Sequence, residues 1–111
     1  MNQWEIWDFD IPNPIGDHPC VILSTESFLK RGSSHVNVLI CTSKRGTGIP
    51  ANYKVQLDQA DGLDGPSLVD CSSFQNFPMK NAKRKRGIVT PLRRVAIGNA
   101  IRIGFQLTIR I

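Results

Sequence analysis

A few places in the sequence carry side chains able to move protons or hold an anion. His18 stands at the mouth of an apolar run, Gly16-Asp17-His18-Pro19-Cys20-Val21-Ile22-Leu23-Ser24. Imidazole is the one side chain whose ordinary pKa, about 6.5, lets it serve as acid or base at neutral pH. His18 is either such a group or a loop histidine hydrogen-bonded to a neighbour. Thr42 and Ser43 close the run Val38-Leu39-Ile40-Cys41, and their hydroxyls either face a phosphate or simply end a strand. Lys44 and Arg45 follow, as positive charge beside such a site or as a solvated turn. Asp70, within Ser67-Leu68-Val69-Asp70-Cys71, either orients an imidazole, acts as a base, or hydrogen-bonds structurally. Lys80-Asn81-Ala82-Lys83-Arg84-Lys85-Arg86 is the densest basic run. It suits the backbone of a nucleic acid or an acidic protein segment, with a flexible basic loop as the other reading.

The elements that must position these groups read as short strands and one helix. Residues 4–10 alternate loosely and end in a loop with Pro12 and Pro14, a strand followed by a turn-rich connection. Residues 20–25 are nearly continuously apolar, as expected of a strand buried on both faces. Residues 27–34 form a connection with room for a helical turn, and 35–42 make the strongest strand pattern in the chain. Gly46-Thr47-Gly48-Ile49-Pro50 interrupts it, after which 53–57 alternate cleanly. Asp61-Gly62-Leu63-Asp64-Gly65-Pro66 is dense in turn formers, and a further strand is expected over 67–74. Thr90 before Pro91 reads as N-cap and first helical residue. Leu92, Val95, Ala96, Ala100 and Ile103 then fall near 3.6 spacing, predicting an amphipathic helix over 91–105. The tail 106–111 either extends that helix or forms an edge strand. The expected fold is α+β but mainly β, a small SH3-like, partly open β-barrel of five to seven strands with a C-terminal α-helix.

With 111 residues the chain has the length of one domain, 1–111, able to bury a single core. No apolar run reaches the roughly 20 residues of a membrane helix. The N-terminal residues lack the basic start and apolar stretch of a signal peptide, so the reading is a cytoplasmic chain with no membrane partner. Cys20, Cys41 and Cys71 sit in or beside apolar runs, none in a CxxC pair, and His18 and His35 are not at ligand spacing. No metal site, cofactor or disulfide framework is expected. Net charge is +5, unevenly spread. Residues 1–28 hold Glu5, Asp8, Asp10, Asp17 and Glu26 with no Lys or Arg, whereas 71–111 hold Lys80, Lys83, Arg84, Lys85, Arg86, Arg93, Arg94, Arg102 and Arg110 with no acid. Such a cationic half is the footprint of a polyanion or acidic partner, or a solvated basic face.

Taken in order, these pieces resemble the MazF/PemK family of toxin–antitoxin endoribonucleases over essentially the whole chain. Ile6-Trp7-Asp8-Phe9-Asp10 is similar to the family's first strand, and His18-Pro19-Cys20-Val21-Ile22-Leu23-Ser24 to its second, typically Arg-Pro followed by apolar residues and Ser. Cys41-Thr42-Ser43 matches the end of the third strand. Asp64 to Cys71 matches a Gly-containing turn and the strand carrying an Asp-Gln pair. Lys85-Arg86-Gly87-Ile88-Val89-Thr90-Pro91 matches the basic lead into the C-terminal helix. Three positions depart from the pattern. The family's catalytic arginine is His18 here, and the Asp-Gln pair is Asp70-Cys71, or Ser72-Ser73 in a register shifted by two. The loop 11–17 is short and carries no base.

The resemblance implies a metal-independent endoribonuclease toxin, acting as a homodimer on single-stranded RNA and neutralised by a cognate antitoxin with an acidic segment. Cleavage through the RNA's own 2′-hydroxyl needs a base, donors for the charged phosphorane, and an acid for the leaving oxygen. His18, Thr42 and Asp70 are the expected catalytic residues. Ser43, Lys44, Arg45, Lys80, Lys83, Arg84, Lys85 and Arg86 are the expected RNA-binding residues, with Tyr53, Phe74 and Phe77 as candidates for base stacking. Two other readings use the same scaffold. One is a non-nuclease toxin like the gyrase-poisoning CcdB proteins; the other is a degenerate member that binds antitoxin or nucleic acid without turnover.

Overall fold

The computed structural model describes residues 1–106. Its strands are β1 (Glu5–Phe9), β2 (His18–Ile22), β3 (His35–Ser43), β4 (Lys54–Leu57), β5 (Ser67–Asp70), β6 (Gln75–Pro78) and β7 (Ala82–Ile88). Two α-helices, α1 (Glu26–Lys30) and α2 (Pro91–Gly104), complete the order with short 3₁₀ turns at Gln59–Asp61 and Met79–Asn81. All strand pairs are antiparallel, in the path β4-β5-β3-β2-β1-β7, with β6 also on β3. Among the described residues β4 and β7 end the path without pairing to each other, so the sheet curls but does not close, as the sequence led us to expect. Among the described residues no helix is long and apolar enough to cross a membrane.

β3 organises the sheet because its nine residues serve three partners. Along one edge, Val38 to Ile40 pair with β2; along the other, His35 to Val38 pair with β6 and Cys41 to Ser43 with β5. Side chains alternate across a strand, so the two faces feed two cores. Leu39 and Cys41 join Ile6, Val21, Leu57, Val69 and Val89 beneath Ile97 and Ala100 of α2. Val36 and Val38 join Phe9, Ile11, Cys20 and Ile22 on the opposite face. β2 contributes to both, and Cys20, Val21 and Ile22 are wholly buried, each apolar side chain contributing about 1.5–3 kcal/mol.

The departures from expectation are local. The strand expected over 67–74 stops at Asp70: the Cys71 N–H makes a last bond to the Tyr53 carbonyl, and the Asp70 carboxylate then accepts from the Ser72 N–H as the chain turns before β6. The basic run 82–88 is a strand, β7, paired with β1, rather than a loop. α2 begins at Pro91 as expected, but the Thr90 hydroxyl makes no cap bond. Instead the Thr90 N–H donates to buried Asp61, which Arg93 also grips while bonding Asp58 at 2.8 and 2.9 Å. This clamp fastens the helix start to the turn after β4. Gly104, costly within a helix on propensity alone, is where α2 crosses the chain: a Cβ there would lie 3.0 Å from the Ser72 Cα. The expected extension of the tail falls, from residue 107 on, outside the described residues.

Candidate active site

The outer face of the sheet opposite the α2 core holds a cavity of about 440 Å³, within the roughly 300–1,000 Å³ usual for small-ligand pockets. Strand register explains which residues line it. Cys41 pairs with Val69 and Val69 with Val55, all turned toward the α2 core. Their neighbours in sequence must point the other way: Ile40 and Thr42 on β3, Leu68 and Asp70 on β5, Lys54 on β4. Lys54 lies opposite Asp70, and Thr42 opposite Leu68. On the far edge of β3, Cys20 pairs with Ile40, and two further residues along the same ladder bring His18 level with Thr42. Ile15, Ser73 and Gln75 complete the lining. The three expected catalytic residues, His18, Thr42 and Asp70, thus converge in one cavity from three strands.

The His18 ring is half-buried, and its Nδ1 lies 3.3 Å from the Gly16 carbonyl. A carbonyl only accepts, so this contact places the proton on Nδ1 and leaves the Nε2 lone pair for proton transfer. Thr42, near the end of β3, is exposed, and its hydroxyl is free to donate. Asp70 Oδ1 accepts from the Ser72 backbone N–H at 2.9 Å and from the Ser72 hydroxyl, which fixes its rotamer. No hydrogen bond joins Asp70 to His18, though both line the cavity. Of the two registers weighed for the Asp-Gln position, both reach the site, since Asp70 and Ser73 each line it.

The expected RNA-binding residues separate into three places. Lys44 and Arg45 line a shallow depression of about 200 Å³ that shares Lys54 and Leu68 with the cavity, and Lys44 Nζ donates to Gln56 Oε1 at 3.0 Å. Ser43, next to Thr42, pairs with Ser67 and does not line the cavity. Lys80 sits near His35 at the opposite end of β3, about 20 Å away at 3.3 Å per residue. Lys83 to Arg86 form the β7 side of an ionic seam with acids of the N-terminal third and Asp64. Lys83 meets Asp17 at 2.7 Å, Arg84 meets Asp8 at 2.8 Å, and Lys85 meets Glu5 at 3.1 Å. Arg86 bridges Asp8 and Asp64 at 3.1 and 3.0 Å. Burial alone would raise the Glu5 carboxyl, but the Trp7 indole N–H, the Asn2 backbone N–H and Lys85 bind it and take it down to about 2.

Of the aromatic candidates, Phe77 packs on Phe9 in the core and Phe74 stacks on Phe105 with centroids 4.7 Å apart. Tyr53 lies beneath the Lys54 ammonium. The three cysteines are buried and free; burial pushes Cys20 and Cys71 up to about 12 and Cys41 up as well, so none supplies a thiolate. Sequence reasoning missed Lys54, Gln75 and the apolar wall of Ile15, Ile40 and Leu68. The signal for Lys54 was present, in the strict alternation of Lys54-Val55-Gln56-Leu57, whose apolar members must face the core.

A family model described as "PemK-like, MazF-like toxin of type II toxin-antitoxin system" matches residues 2–105. A comparison with curated protein sequences returned no match. Among solved structures, an endoribonuclease in complex with its cognate antitoxin from a mycobacterial species is similar with a TM-score of 0.79 at 20% identity, over 99% of each chain. The Mycobacterium tuberculosis toxin MazF-mt6 is similar with a TM-score of 0.78 at 25% identity, over 94% of this chain and 98% of that one. A chain of the Deinococcus radiodurans MazE–MazF complex follows at 0.72 and 14%, over 97% of each. The unclosed seven-stranded sheet with its C-terminal helix is the shape these structures share. By the family match over nearly its whole length, the chain belongs to the PemK-like, MazF-like toxins of type II toxin–antitoxin systems.

Proposed function

We propose that the chain is the endoribonuclease toxin of its pair, cutting single-stranded RNA through the 2′-hydroxyl without a metal. It works as a homodimer and is silenced by a cognate antitoxin with an acidic segment. The observation that carries this reading is the convergence of His18, Thr42 and Asp70 in one cavity beside the Lys44–Arg45 depression. His18 Nε2 takes the proton of the 2′-hydroxyl, whose oxygen attacks the adjacent phosphorus. Asp70 favours the imidazolium that forms, and the Thr42 hydroxyl donates to a non-bridging oxygen. The 5′-oxygen leaves with a proton from solvent, which enters past half-exposed Ile15. The products are a 2′,3′-cyclic phosphate and a 5′-hydroxyl. The internal nucleophile needs no metal to generate it.

Wild type and His18→Ala are each incubated with a long single-stranded RNA in EDTA across pH 5 to 9. Wild type is expected to cut the RNA with EDTA present. The variant is expected to lose about 10²–10⁴-fold. No cutting by wild type at any pH overturns the reading.

A further inference from the structure

An imidazole acting as base starts neutral, and Thr42 brings a dipole rather than a charge. The phosphorane formed on attack carries one more negative charge than the diester, so the cavity is short of permanent positive charge. We propose that Lys54 supplies it, as a catalytic residue that binds the non-bridging oxygens of the transition state; this rests on the ribonuclease reading.

Among the described residues, Lys54 is the one Lys or Arg lining the cavity. The β4–β5 register sets it directly across from Asp70, and β5 sets Leu68 and Asp70 beside Thr42, so the three polar groups share one face. Its ammonium forms no ion pair or hydrogen bond among the described residues. It hovers 5.9 Å from the centroid of the Tyr53 ring, an attraction that places a cation without neutralising it. Lys44 differs, being tied to Gln56, and with Arg45 it lines only the outer depression. Of the three bases, Lys54 lines both spaces. A strand that enters along Lys44 and Arg45 would therefore deliver its scissile phosphate to Lys54.

Single-turnover cleavage at saturating RNA separates the roles, alongside binding of a 2′-deoxy strand that cannot be cut. Lys54→Ala is expected to lower the cleavage rate about 10²–10³-fold while changing 2′-deoxy binding by less than about threefold, and Lys54→Arg to restore most of the rate. The Lys44→Ala/Arg45→Ala variant is expected to weaken binding of the 2′-deoxy strand. Thermal melts check that each variant folds. An active wild type with an equally active Lys54→Ala overturns this assignment alone, as does a loss that appears only in binding. An inert wild type overturns the ribonuclease reading and this assignment with it.

Discussion

Lys83 to Arg86 on β7 and Lys44, Arg45 and Lys54 around the β3–β4 connection bring similar charge into opposite surroundings. On β7 every base faces an acid: Asp17, Asp8, Glu5 and Asp64 take up the four cations. Around the β3–β4 connection Lys44 finds only an amide, and Lys54 only an aromatic ring. Four of the nine bases in residues 71–111 are thus met where β7 lies against β1 and its neighbouring loops. A run of bases marks a polyanion site only after the chain's own acids have been subtracted. The sparser rim, not the denser run, adjoins the cavity.

The comparison breaks most sharply at the backbone. Gly87 of β7 and Gly62 after the Gln59–Asp61 turn press together: a Cβ on Gly87 would stand 2.2 Å from the Asp61 carbonyl oxygen, which cannot move aside cheaply. At the rim, Gly48 has nothing within 4 Å of the same addition. Gly87→Ala is expected to cost about 3 kcal/mol of stability, read from the urea midpoint, and Gly48→Ala less than about 0.5. Equal midpoints for the two variants would mean that the β7 contact yields, and that the ionic seam is not held in place by the fold.

The seam also carries an acid-sensitive share of stability. Glu5 drops from 4.5 unfolded to about 2 folded, so the stability it contributes is complete above 4.5 and is lost as pH falls toward 2. With its side chain 10% exposed, that share is on the order of 2 kcal/mol. Glu5→Gln is expected to lower stability by that order at pH 7 and to match wild type at pH 2. A gap that persists at pH 2 would assign the loss to packing around Trp7 rather than to charge.

Much of this was legible in advance, and the illegible parts share a cause. Continuous burial of Cys20 to Ile22, the length of β3 and the start of α2 at Pro91 follow from local pattern, because each is decided by which side chains flee water. β7 is not of that kind. Lys83-Arg84-Lys85-Arg86 has poor strand propensity, and only the acids of β1 and the loop before β2, some 70 residues earlier, make it a strand. The close of β5 likewise rests on the Cys71 N–H donating to the distant Tyr53 carbonyl, the last bond of the β4–β5 ladder, unseen in the run 67–74. At the site, His18, Thr42 and Asp70 were visible through the order of family motifs. Lys54 was visible only through the β4–β5 register, which sequence periodicity constrains to a face but not to a partner.

Binding sharpens the contrast next. On a 2′-deoxy single strand, Lys44→Ala/Arg45→Ala is expected to reduce the slope of log affinity against log salt by roughly 1.4 and to weaken binding about tenfold at 0.1 M salt. Lys83→Ala/Arg84→Ala is expected to leave the slope within about 0.3 of wild type, because those charges are already met. The reverse ranking would place the RNA along β7.

The smallest effect tests the subtraction itself. Asp8 holds Arg84 at 2.8 Å and Arg86 at 3.1 Å, while Arg86 keeps a second acid in Asp64. Asp8→Asn keeps the shape and a hydrogen-bond acceptor but removes the charge, and so frees about one cation, that of Arg84, whose side chain is 68% exposed. If paired bases are silent only because of their partners, the variant should bind single strands about threefold more tightly and steepen the salt slope by roughly 0.7, one phosphate contact's worth. The gain should disappear in Asp8→Asn/Arg84→Ala, which separates a released cation from a general rise in net charge. If the gain survives that second substitution, the added affinity comes from long-range attraction, and β7 is neutral to RNA because it lies away from the path of the strand, not because its charges are paired.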